Sequence, residues 1–119
     1  MVTFNRAPRI DVDDEQRLND DFAQQLKKLA HELAVKVIDD AHVVAGQIAK
    51  SLRPAPTSVT ISPSEGRALF SLFAGGGREA DLWVDGSGRM KAVYSGPVED
   101  NEAVLDIHEF SQVAGWLQR

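Results

Sequence analysis

The chain has 119 residues, a formal net charge of -5 and no cysteine. Its length suits one domain, and 43% hydrophobic with 26% charged residues is the balance of an ordinary packed protein rather than a disordered or fibrous one. The absent cysteine excludes disulfides, thiolate catalysis and cysteine-ligated zinc, and the acidic balance argues against direct nucleic-acid binding.

The acids are clustered. Residues 11–21, "DVDDEQRLNDD", set six carboxylates against Arg17 alone, and residues 99–109 carry five carboxylates with no lysine or arginine. The first cluster reads as a partly disordered acidic arm over 1–17 that runs into a helix. "MVTFNRAPRIDVDDEQ" has no apolar run of a secretory signal, and no window approaches the roughly eighteen apolar residues of a membrane span, so a cytoplasmic protein without membrane contact is expected.

Leu18, Phe22, Leu26, Leu29, Leu33 and Val37 recur at steps of four and three with polar residues between them, which predicts an amphipathic helix over 18–53, closed off by Pro54 and Pro56. A continuous helix of that length spans roughly 50 Å, whereas a compact chain of this size is only about 35 Å across. Either the helix breaks, between Asp39 and Gly46 where β-branched residues and glycine weaken it, or its end projects and pairs with another chain. A homodimer through the long helix follows from the second alternative.

From Val59 the period changes to two. "SVTIS", "RALFSLFA", "EADLWVD" and "RMKAVYS" are short runs bounded by "SPSEG", "GGG" and "GSG", which predicts a four-stranded antiparallel meander over 57–96. A fifth, short strand around Ala103–Asp106 carries a weaker signal. The glycines join strand to strand rather than strand to helix, so they read as hairpin turns and not as a phosphate cradle. Near the C-terminus, Asp106 and Glu109 stand at capping-box spacing before an apolar stripe of Ile107, Phe110, Val113, Ala114 and Leu117, which predicts a closing helix over 106–118. The fold class is α+β in a single domain: long N-terminal helix, four-stranded meander, short C-terminal helix.

No constellation for catalysis stands out. His31 and His42 lie about 16 Å apart along one helix, no H-E-x-x-H or G-x-S-x-G pattern occurs, and "DVDDE" lacks the glycine and closing glutamate of an EF-hand loop. No metal, cofactor or enzyme activity is expected. Binding chemistry is better represented. In the third strand Asp81, Trp83 and Asp85 share one face, and in the second Leu69, Ser71 and Phe73 share one. Trp83 and Phe73 then lie either under the C-terminal helix, with Phe110 and Trp116 as cover, or exposed as a binding anchor that Tyr94 extends. The residues expected to bind a partner are Asp13, Asp14, Asp20 and Asp21 on the acidic segment and Phe73, Asp81, Trp83, Asp85 and Tyr94 on the sheet.

The segment "TSVTISPSEGRALFSLFAGGGREADLWVDGSGRMKAVYSG", after an N-terminal helix and Pro54, resembles short bacterial and phage proteins among which toxin-immunity proteins, antitoxins and anti-CRISPR inhibitors occur. The resemblance covers about the middle third of the chain and rests on turns and strand pattern. It implies a small inhibitor that blocks another macromolecule. Together with the acidic charge it leads to the expectation of a non-enzymatic protein that neutralises a partner with a basic surface, the alternative being a homodimeric chaperone-like or assembly subunit.

Overall fold

The computed structural model describes residues 2–51 and 58–118, with side chains from residue 15 onward. Two helices, α1 (Val2–Leu29) and α2 (Val35–Ser51), precede a five-stranded sheet of β1 (Ser58–Ser64), β2 (Arg67–Ala74), β3 (Arg78–Val84), β4 (Arg89–Ser95) and β5 (Asp100–Asp106), and α3 (Phe110–Leu117) closes the chain. The sheet is an antiparallel meander in the order β1-β2-β3-β4-β5, as the short glycine turns require. None of the described helices is long and apolar enough to cross a membrane.

Two expectations are corrected. The helix expected over 18–53 is two helices, the first of which already begins at Val2 within the 1–17 segment, and the break lies over residues 30–34 rather than between Asp39 and Gly46. The N–H groups of Glu32 and Leu33 both donate to the Leu29 carbonyl at 2.9 and 3.1 Å, closing α1 with a tight turn. The chain then doubles back, so that Leu29, Leu33 and Val37 are all buried in one core. The β-branched stretch that weakens helix propensity stays helical because Val44, Ala45 and Ile48 are buried there, and packing outweighs a few tenths of a kcal/mol of propensity per residue (about 0.5). The link holding Pro54 and Pro56 lies outside the described residues.

The second correction is the strand count. β5 is a full strand, and with it the closing helix starts at Phe110 rather than at Asp106. Half of a capping box forms: the Glu109 carboxylate accepts the Asp106 N–H at 3.0 Å, but the Asp106 carboxylate accepts from the His108 N–H at 2.8 Å. That local bonding makes 107–109 a turn. Gln47 of α2 then holds the start of α3, its amide donating to the Ile107 carbonyl and accepting from the Phe110 N–H.

The register shows how the core is built. Three cross-strand rows face the helices: Val59, Leu72, Ala80, Tyr94 and Asn101; Ile61, Phe70, Leu82, Ala92 and Ala103; and Pro63, Ala68, Val84, Met90 and Leu105. Phe70, Leu72, Leu82 and Val84 in the middle strands are completely enclosed, together with Phe22, Ile48 and Phe110 from the three helices. α1 packs by β1, α2 over β2 and β3, and α3 over β3 and β4.

One side chain caps a step of the β1 edge. Gln25 of α1 donates to the Val59 carbonyl at 3.3 Å and accepts from the Ile61 N–H at 2.7 Å, as a neighbouring strand would. Gln25→Ala is expected to cost about 1–2 kcal/mol, because both backbone groups lose their partner in a half-buried place. Hydrogen exchange should accelerate at Ile61 ahead of the rest of β1, and unchanged exchange there would show that the amide contributes nothing.

Candidate functional site

The opposite face of the sheet carries no covering element among the described residues. Its rows are Ser62, Leu69, Trp83, Lys91 and Val104; Thr60, Ser71, Asp81, Val93 and Glu102; and Ser58, Phe73, Glu79, Ser95 and Asp100. Leu69, Trp83 and Val93 are half-buried by their strand neighbours alone, while Phe73 is 45% and Val104 65% exposed. α3 lies on the other side, so the alternative in which Phe110 and Trp116 cover Trp83 does not occur. Phe110 is in the core, and Trp116 meets Tyr94 with ring centroids 6.0 Å apart.

Tyr94 therefore leaves the binding group. It is 2% exposed and points to the helices, because strand parity places it with Met90 and Ala92. Its hydroxyl also occupies the space over Gly96, where an added Cβ would stand 2.4 Å from the phenol oxygen. The other sheet residues do gather: Phe73, Asp81 and Trp83 on the open face, with Asp85 at its margin.

The open face is mixed in charge at one end and acidic at the other, a property that needs the register and was invisible in any one strand. At one end Arg67, Arg89 and Lys91, interleaved with Asp85 and with Asp106 opposite Arg89, surround Trp83 and Val104 in a shallow depression of about 230 Å³. The Arg67 guanidinium stands 6.0 Å from the Trp83 ring centroid, an arrangement worth about 0.5–1 kcal/mol where solvent-exposed. At the other end Glu79, Asp81, Asp100 and Glu102 surround Phe73 and Val93. Lys91, 3.4 Å from Glu102, bridges the two ends.

Asp20 and Asp21 are exposed on α1, where they accept from Gln16 at 3.1 Å and from Gln25 at 2.9 Å respectively. Gln25 marks the β1 edge, and between it and Trp83 lie the serine and threonine face of β1 and then β2, β1 and β3 being two strand spacings, about 10 Å, apart. The acidic segment and the aromatic anchor thus do not form one patch. The side chains of Asp13 and Asp14 lie outside the described residues.

His31, His42 and His108 are all exposed, and among the described residues no three histidine or acidic side chains gather as metal ligands. The 86–88 turn serves packing: its Gly88 N–H donates to Asp40 of α2 at 2.8 Å. Hydrogen bonds from the Ser87 side chain and N–H hold the Asp85 carboxyl below its ordinary range, and those from the His108 N–H and ring do the same for Asp106. A depressed carboxyl stabilises the fold above its unfolded pKa and loses that contribution as the pH falls through the folded one. The melting temperature of wild type should therefore fall more steeply below about pH 4 than that of an Asp85→Asn, Asp106→Asn double variant. Parallel curves would show these turn bonds to be inert.

Comparison with protein families, with curated proteins and with solved structures finds no match.

Proposed function

We propose that this chain is a small non-enzymatic protein that binds another macromolecule through the open face of its sheet and neutralises it by occupying its working surface. One observation carries the reading: Trp83, Leu69, Val93, Val104 and Phe73 stand on a five-stranded face that no described element covers, while the three helices pack on the opposite face. Tryptophan in a partly desolvated setting is the side chain that concentrates interface energy. The carboxylates around Phe73 and Val93 suit a partner with a basic surface and accelerate the encounter, and the apolar groups set the residence time.

The helix-paired homodimer has less support. Leu29 and Leu33, the positions on which such a pairing would rest, are packed within the chain's own core.

The test is capture of a stoichiometric partner from the native cell background with the tagged wild-type chain, with Trp83→Ala and with the helix-surface variant Lys50→Ala. Wild type and Lys50→Ala should retain the same partner, Trp83→Ala should lose it, and high salt should weaken it. A partner retained by Trp83→Ala would move the interface elsewhere and overturn the reading.

A further inference from the structure

We propose that the free edge of β5 takes up an extended, lysine- or arginine-bearing strand of the partner, paired backbone to backbone. The inference rests on the open face being the partner surface and names how the partner engages it.

The two edges of the sheet differ. At β1 the Gln25 amide fills the place of a neighbouring strand. At β5 the bonds from Ile107 N–H to the Gly88 carbonyl and from Gly96 N–H to the Glu99 carbonyl set the alternation. Odd-numbered residues of β5 turn their backbone groups to β4, and even-numbered ones turn them outward. Asp106 spends its outward pair on Glu109, donating to the carboxylate and accepting from the N–H. The outward groups of Glu102 and Val104 have no such partner among the described residues, and the helices pack over β1 to β4, leaving Asn101 and Ala103 half-buried. Unpaired strand edges of this kind are templates for strand addition.

Charge selects the occupant. The even-numbered side chains, Asp100, Glu102, Val104 and Asp106, all point to the open face. A second copy pairing antiparallel about Ala103 would set Asp100 opposite Asp106, and like charges directly opposite each other destabilise a pair. A strand with cations at alternate positions instead meets Asp100 and Glu102, with Asp81 and Glu79 behind them.

The experiment uses the full chain labelled for NMR and, as the probe, a blocked octapeptide alternating lysine and threonine. Added peptide should slow hydrogen exchange at Glu102 and Val104 by about tenfold. Val104→Pro removes one outward N–H and leaves the β4 ladder intact, so it should keep a dispersed, folded spectrum and lose the protection at Glu102. An Asp100→Lys, Glu102→Lys double variant should reject the lysine peptide and accept its glutamate counterpart. If the peptide shifts the Trp83 indole and Val93 methyls without protecting Glu102, the edge inference fails and the open face stands. If no signal moves, or if Val104→Pro binds as wild type does, the edge inference fails, and the open face is then judged by partner capture alone.

Discussion

Phe70→Ala is expected to lower the unfolding free energy by about 3–5 kcal/mol, whereas Trp83→Ala, the removal of a larger side chain, should cost only about 1–2 kcal/mol. Phe70 is 0% exposed, in the middle row of the helix-facing side. Its deletion forfeits apolar burial and leaves a cavity between β2 and the helices. Trp83 touches strand neighbours and Arg67 on the open side, where water replaces what is removed. Urea denaturation of the two variants at neutral pH measures both values. A Trp83→Ala loss as large as that of Phe70→Ala would mean that something covers the open face.

Gly86→Ala is the second large effect expected. Gly86 has a φ of +88°, and a Cβ there would stand 3.2 Å from both the Lys36 Cβ and the Val37 nitrogen at the start of α2. Left-handed backbone costs a residue with a side chain about 1–2 kcal/mol, and the forced retreat of the turn from α2 also disturbs the bond from Gly88 to Asp40. Gly77 is the control, with a φ of +77° and open space where the Cβ would be. Gly77→Ala should therefore cost about 1 kcal/mol and Gly86→Ala at least about twice that, as read from denaturation midpoints. Equal losses would show that the turn does not dock on the helix. Gly86 thus serves the seating of a hairpin on α2, which local pattern alone cannot distinguish from simple corner-turning.

Strand parity made much of the sheet legible in advance. The alternation in "RALFSLFA" and "EADLWVD" separates Phe70, Leu72, Leu82 and Val84 from Phe73, Asp81 and Trp83, and these are the two faces observed. The same parity in "RMKAVYS" puts Tyr94 with Met90 and Ala92, so the signal that removes Tyr94 from the surface was present in its own strand. β5 was harder to see, since Leu105 is its only large apolar group on the helix side and its acids resemble a loop. The helix break had no local mark, because Ala30, His31 and Glu32 are tolerable in a helix and the turn is imposed by the joint burial of Leu29, Leu33 and Val37. The uneven charge of the open face, mixed at one end and acidic at the other, joins residues from four strands, and only the register brings them together.

The most direct test of the open face is solvent paramagnetic relaxation on the methyl-labelled full chain without any partner. Signals of Leu69, Val93 and Val104 should be strongly attenuated by a soluble paramagnetic agent, and those of Leu72, Leu82 and Val84 spared. Equal protection of the two sets would mean that the face is covered in the free protein and would remove the surface on which the proposed function depends.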